Sequence, residues 1–473
     1  MKQTPPERSG KTDREPDQES DSLYVKHKKV YPREVHGLFA RLRTTGVILL
    51  LGLYYGLPWL RWDDRQAVLL DLPNRQFHIF GLTFWPQDFF YFAMLLILAG
   101  ISLFFFTALA GRLWCGYACP QTVWTEVFLW IERKIEGTRS QQMKLDKADL
   151  SRNKVYKKTL KHTVWIVFSA FTGFTFVGYF TPMDVLWHSL ISLEMGPWES
   201  FWIIFYSLAT YGNAGWLREQ VCIYMCPYAR FQSAMFDNDT LIISYDEQRG
   251  EPRGSRNKSV NPKELGIGDC IDCNLCVQVC PTGIDIRDGL QYQCIGCAAC
   301  IDVCNQVMDK MQYPKSLISY TTEHEIQGKK TKLLRPRIVI YAAILSLVFV
   351  ALVVAIYNRV PVELDIIRDR NSLFREIKGG LVENIYNLRI ANMSTEKQRY
   401  QIQASGIEGM QLINKTGDFE VSAGEVYNLN VQLQLDPVIL KRPSSQVFFT
   451  LQSLTGEKIS ITEKARFIGP VIR

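Results

Sequence analysis

Eight cysteines between residues 270 and 304 obey a spacing that repeats without error: Cys270-x2-Cys273-x2-Cys276-x3-Cys280-Pro281, then Cys294-x2-Cys297-x2-Cys300-x3-Cys304. An ordinary hydrophobic core has no use for such a rule. Two residues between thiolates let a tight loop wrap three corners of a cubane, while the fourth Cys of each run reaches the other cluster in two-cluster ferredoxins. The spacing therefore assigns one [4Fe–4S] cluster to Cys270, Cys273, Cys276 and Cys304, and a second to Cys294, Cys297, Cys300 and Cys280. Pro281 fits this pattern and Asn305 departs from it. Structural zinc also takes four thiolates, but usually as two separated pairs. Residues 264–310 hold seven acidic and two basic side chains. Such a skin suits docking of a basic electron donor, and solvated surface charge is the competing reading.

The other four of the twelve cysteines form a second matched pair of motifs, Trp114-Cys115-Gly-Tyr-Ala-Cys119-Pro120 and Cys222-Ile-Tyr-Met-Cys226-Pro227. On a helix, residues four apart share a face, so each pair is expected to act as a two-thiolate clamp. If the helices preceding them are neighbours, the clamps face each other. Soft sulfur ligands select Cu(I), zinc or iron–sulfur clusters, and a copper site of this kind draws Cu(II) toward reduction. Cys115, Cys119, Cys222 and Cys226 are accordingly the expected copper ligands and redox residues. Buried cysteines acting as small hydrophobes and a redox disulfide are the alternatives.

The apolar residues, 47% of the 473, are bunched. Candidate membrane spans run Thr45–Leu60, Asp88–Ala110, Thr163–Thr181, Ser200–Leu217 and Ile338–Tyr357, each near the ~20 residues a bilayer crossing needs. Pro58 weakens the first and Gly212, Asn213 and Gly215 the fourth, leaving a reentrant or core helix as the other reading of those two. Lys and Arg number ten in 131–162, seven in 310–337 and six in 26–43, against three in 61–87 and none in 181–199. The basic connections belong in the cytoplasm, which places 218–337 there and everything after Arg359 outside. Trp59, Trp62, Trp85, Trp198 and Trp216 near span ends read as lipid anchors. His188, with Met195 close by, offers a Met/His entry point for copper against a reading of ordinary packing. No regular histidine pair within the spans suggests haem.

Beyond Tyr357 the pattern changes to short alternating runs such as Tyr386-Asn-Leu-Arg-Ile and Gln446-Val-Phe-Phe-Thr-Leu, which suggests an immunoglobulin-like β-sandwich. It contains neither His nor Cys, so a stabilising or partner-binding module is expected. The fold class is thus a multi-domain membrane protein of about five transmembrane α-helices, an inserted two-cluster bacterial-ferredoxin-like module and a C-terminal immunoglobulin-like β-sandwich. The expected division is a disordered cytoplasmic tail (1–30), a four-helix membrane region (31–235), a ferredoxin-like domain (236–337), a fifth span (338–357) and an outer β-domain (358–473). The tail lacks the apolar surface needed to fold and has no apolar run with a cleavage site behind it.

With GRLWCGYACPQTVWTE at 111–126, MCPYARFQSAMFD at 225–237, the double ferredoxin motif at 270–304 and the late span with its β-domain, the chain resembles the CcoG family, also called FixG or RdxA, accessory proteins of cbb3-type cytochrome c oxidase. The resemblance implies a bacterial inner-membrane iron–sulfur protein that reduces Cu(II) to Cu(I) for the oxidase, with the β-domain in the periplasm. Implied partners are a cytoplasmic electron donor, the copper ion, the lipid bilayer, and the oxidase or a copper chaperone or transporter; no nucleic acid is expected. Two further readings are a membrane electron conduit resembling the NapH and NosR type proteins, passing electrons to a periplasmic reductase, and a non-catalytic scaffold for oxidase assembly.

Overall fold

The structure is a computed structural model that describes residues 29–62, 65–256, 266–369, 372–377, 379–394, 396–413, 417–440, 442–455 and 459–470. Almost all of the expected disordered tail lies outside these residues. Its last two do not: Lys29 is held by Asp146 at 3.1 Å, and the segment after it is tied to the ferredoxin module by Arg33 N–H donating to the Gln278 carbonyl at 2.8 Å.

Helices α1 (Leu38–Gly56), α2 (Phe89–Ala110), α3 (Pro120–Glu136), α4 (Arg152–Val177) and α5 (Pro197–Thr210) build the N-terminal half. Helix α6 (Pro227–Met235) follows the second Cys-Pro motif. Among the described residues, four helical stretches are long and apolar enough to cross a membrane: Leu38–Trp59, Pro86–Ala110, Arg152–Val177 and Pro336–Tyr357. The α-helix at Ser200–Leu217 stops at Thr210, but the chain continues as a π-helix through Leu217. Gly212, Asn213 and Gly215 widen the helix there without ending it.

The third span begins at Arg152 and not at Thr163, because the basic connection ahead of it is itself helical. Lys and Arg are good helix formers, and here they find acids: Lys161 reaches Glu132 at 3.2 Å and Glu136 at 2.8 Å, and Arg218 reaches Glu132 at 2.8 Å. Glu132, Glu136 and Lys161 are all buried, so each charge depends on its partners.

The helices pair as α2 with the last helix, Pro336–Tyr357, and α4 with α5. The helices preceding the two Cys-Pro motifs are therefore not each other's main partners. The motifs meet because amphipathic α3 packs on both α4 and the π-helix Tyr211–Leu217.

The ferredoxin-like module is closed by an antiparallel pair of strands, Ile242–Tyr245 with Ile318–Thr321, around two helices, α7 (Leu275–Val279) and α8 (Ala299–Met311). Several of its acidic side chains are paired within the protein. Arg287 binds Asp285 and Asp272, each at 2.6 Å, Arg249 binds Asp269 at 2.8 Å, and Asp302 receives the Phe39 and Ala40 N–H groups of α1. Asp272, Asp288 and Asp309 stay exposed at the surface.

The C-terminal domain is an immunoglobulin-like sandwich. One antiparallel sheet runs in the order Gln411–Ile413, Val426–Leu435, Val382–Asn392, Val362–Arg368; the other runs Phe419–Val421, Gln398–Ser405, Ser444–Ser453, Ser460–Ile468. Inward residues of alternating strands, among them Tyr386, Leu388, Val431, Val447 and Phe449, fill the space between them, as period-two patterning requires. Trp85 corrects the lipid-anchor reading. It is buried against Ala391 and Met393 and donates its indole N–H to the Met393 carbonyl at 3.3 Å, whereas Trp59, Trp62, Trp198 and Trp216 are exposed. A short three-stranded sheet at 68–84 precedes Trp85, so the connection between the first two spans forms a seat for the β-domain. Asp88 reinforces it by pairing with Arg359 Nε at 3.1 Å.

Candidate redox site

The two Cys-x3-Cys-Pro motifs are built alike, and not as continuous helices. Cys115 sits in the short helix Leu113–Tyr117, and Cys222 in the π-turn Val221–Met225. Cys119 and Cys226 are both extended, at φ −61, ψ 129 and φ −79, ψ 111. A residue before proline is pushed out of the helical region, while proline itself fits the first position of a new helix. Pro120 and Pro227 accordingly open α3 and α6. The expectation that both thiols of each pair lie four apart on one continuous helix is thereby corrected. Each second cysteine is also fastened by the same bond five residues back: Cys119 N–H to the Trp114 carbonyl at 2.9 Å, and Cys226 N–H to the Val221 carbonyl at 2.8 Å.

The four sulfurs are brought together. Cys115 feels Cys119 and Cys226, and Cys222 feels all three others. Burial pushes the Cys115 thiol up to about 11 and the Cys222 thiol to about 12. Burial also raises Cys119, opposed by the Thr122 and Gln121 N–H groups at the start of α3, which favour a thiolate there. Thr122 Oγ1 donates to the Cys115 carbonyl at 2.6 Å, and Gln121 Nε2 donates to the carbonyls of Asn213 at 2.9 Å and Arg218 at 3.1 Å. The first turn of α3 thus binds its own motif to the approach of the other.

In the ferredoxin-like module, Cys304 lies among Cys270, Cys273 and Cys276. Cys280 lies with Cys294, Cys297 and Cys300, and a small cavity separates these last four. Both cysteine loops turn through left-handed residues at equivalent steps: Asp272 and Asn274 in one, Gly296 and Ala298 in the other. Non-glycine residues pay for that conformation, and here it points N–H groups inward, with Gly296 bonding Cys294 and Ala299 bonding Cys297. Such N–H···S bonds and paired sets of four thiols fit [4Fe–4S] clusters. Among the described residues no three His, Cys, Asp or Glu side chains converge tightly enough for a single metal ion. A tetrahedral ion with ~2.3 Å metal–sulfur bonds needs sulfurs ~3.8 Å apart, so a mononuclear site at the four membrane-edge thiols requires them to close in. His188 is exposed and Met195 half-buried.

Two residues bind the thiol site to the module. Gly116 lies flat against the second cysteine loop: a Cβ there would stand 2.8 Å from Cys297 Cα. Buried Arg112 donates to the carbonyls of Tyr292 and, at 3.3 Å, Cys294, and also to Ala229 of α6 at 2.5 Å. Neither role was assigned from sequence, although Arg112 stands inside the motif at 111–126. Next to Cys222 and Cys297 opens a cavity of about 1090 Å³, lined by Arg33, Arg41, Arg43, Arg133 and Arg218 together with Glu34, Glu126 and Glu219. An excess of guanidinium groups disfavours entry of a cation by that side.

A membrane protein with two sets of four cysteines in a ferredoxin-like module, a further four at the helix ends and an immunoglobulin-like C-terminal domain is an iron–sulfur electron-transfer protein. Three family models match it: "4Fe-4S binding domain" over residues 91–137, "4Fe-4S dicluster domain" over 217–323 and "IG-like fold at C-terminal of FixG" over 352–470. Protein RdxA of Cereibacter sphaeroides is 42% identical over 83% of this chain and 85% of its own length. Nitrogen fixation protein FixG of Rhizobium meliloti is 39% identical over 82% of this chain and 80% of its own. The chain belongs to the FixG/RdxA family. A crystal structure of a FixG-related protein from Vibrio parahaemolyticus is also similar, at 33% identity over 23% of this chain and 97% of that one, with a TM-score of 0.22.

Proposed function

We propose that this protein carries single electrons from a cytoplasmic donor through its ferredoxin-like module to Cys115, Cys119, Cys222 and Cys226, where Cu(II) gains one electron and leaves as Cu(I) for assembly of a cbb3-type oxidase. The observation that carries the reading is the contact of Gly116, between two of those thiols, with the backbone of Cys297. Cys270, Cys273, Cys276 and Cys304 would hold one [4Fe–4S] cluster and Cys280, Cys294, Cys297 and Cys300 the other; when bound, they supply one-electron storage. The four membrane-edge thiols are soft donors that favour Cu(I) over Cu(II). The elevated proton affinity of Cys115, Cys119 and Cys222 means that copper binding there releases protons. Arg112 holds the two sulfur groups in register. Trp85 and Asp88 support placing the connection at 61–87 and the β-domain on one side of the membrane, the periplasmic one, opposite the basic connections.

Replacing all four membrane-edge cysteines with Ala should abolish Cu(II) reduction and leave about eight irons per chain. A second reading is favoured by one observation: the family model for 4Fe–4S binding at 91–137 contains only Cys115 and Cys119 as cysteines. In that reading the four thiolates hold a third cluster, the intact protein carries about twelve irons, and the Ala variant loses about four.

A further inference from the structure

Gln232 lies on α6, six residues beyond Cys226, and is fully buried. Its Oε1 faces Cys115 Sγ at 3.5 Å, accepting from the thiol. Its Nε2 is buried too and makes no hydrogen bond of good geometry, adjoining only the Tyr228 hydroxyl. A buried amide N–H without a well-placed acceptor is costly, so its retention beside four thiols calls for an acceptor that arrives later. Metallation supplies one. A cysteine bound to metal is a thiolate, which accepts hydrogen bonds and cannot donate them; facing it with Oε1 would then be repulsive. Turning the amide over puts Nε2–H on the Cys115 sulfur. It also turns Oε1 toward the neighbouring Tyr228, which interacts with the Gln232 side chain and whose hydroxyl lies 2.5 Å from Thr107 Oγ1.

We infer that Gln232 is the amide donor to the sulfur-ligated redox centre at Cys115, Cys119, Cys222 and Cys226, holding its potential up so that it can take electrons from the ferredoxin-like module. This rests on the reading that the four thiols hold a metal centre. Its physical basis is that a hydrogen bond to a ligating sulfur withdraws negative charge and favours the reduced state, one of the protein's levers on such centres. Gln232 is a positioning residue: it acts through Cys115.

The test uses the full-length protein, purified anaerobically with its native metals. The spectroscopic signal absent from the four-cysteine Ala variant identifies the centre. Its midpoint potential is then measured by redox titration in Gln232→Leu and Gln232→Glu, alongside iron and copper content. Both variants should keep their metals and the signals of the ferredoxin-like module, while the centre's reduced-to-oxidised ratio at fixed poise falls by about tenfold, equal to ~59 mV for one electron; the anionic Gln232→Glu should fall further. Metal retained with an unmoved potential overturns the role of Gln232. Loss of metal only in both variants makes Gln232 a packing residue and overturns it equally. If the four-cysteine Ala variant loses neither signal nor metal, the metal-centre reading fails instead.

Discussion

Gly116 and Cys297 touch backbone to backbone: the position a Gly116 Cβ would take is 2.8 Å from Cys297 Cα and 2.9 Å from its nitrogen. One belongs to the membrane-edge thiol motif and the other to the second ferredoxin-like loop. Any side chain between them forces the groups apart. Gly116→Val is therefore expected to keep the iron of the ferredoxin-like module but to slow its reoxidation by Cu(II) by at least tenfold, read by stopped-flow absorbance. An unchanged rate in a folded variant would show that electrons do not pass here.

Glu132 sits at the centre of a buried charge cluster. Burial raises its carboxyl from an ordinary 4.5, but Arg218, Lys29 and Lys161 outweigh this and hold it down at about 2. A carboxyl depressed on folding adds stability that is complete above the unfolded value and is lost as pH falls through the folded one. Thermal stability in detergent should therefore show a Glu132-dependent decline between about pH 4.5 and about pH 2. Glu132→Gln removes one member of a buried set and should cost about 3–5 kcal/mol at neutral pH; parity with the unmodified protein would refute the network's role.

Asp302 of α8 caps a helix to which it is not joined in sequence, accepting from Ala40 N–H at 2.7 Å and Phe39 N–H at 3.3 Å. Asp302→Ala should cost about 0.5–2 kcal/mol, and hydrogen exchange should accelerate at the first turn of α1 while the rest of that helix stays protected. Uniform protection across residues 38–56 would argue against the cap.

Trp85 anchors the β-domain on the membrane half. Trp85→Ala should cost about 3–5 kcal/mol by the usual range for buried aromatic truncation, and limited proteolysis should then release the β-domain by cleavage near residues 359–361. Resistance equal to that of the unmodified protein would mean that other contacts hold the domain.

The fold class was legible because its signals are periodic: a charge-free run at 338–357, alternation beyond it, and a cysteine rule repeated without error. The sulfur groupings were readable for the same reason, as spacing limits which thiols a loop can gather. What could not be read depends on tertiary packing. The break before Cys119 and Cys226 is a contest between helical spacing and the proline that follows, and the proline prevails. The burial of Trp85 needs a β-domain nearly three hundred residues away to be folded beside it. Arg112 and Gln232 stand within quoted motifs, yet only the carbonyls and the thiol that face them reveal their use. Nor does sequence say that Arg249 and Arg287 will fold back onto Asp269, Asp272 and Asp285.

The most direct measurement mixes anaerobically reduced protein with Cu(II) and a Cu(I)-specific chelator, and follows cluster oxidation and the Cu(I) complex together. In the unmodified protein one Cu(I) should appear for each electron the clusters lose. With Cys115, Cys119, Cys222 and Cys226 all changed to Ala, the ferredoxin-like clusters should remain loaded and reduced while Cu(I) formation stops. Equal rates of both signals in the two proteins would contradict the assignment of those thiols as the exit for electrons.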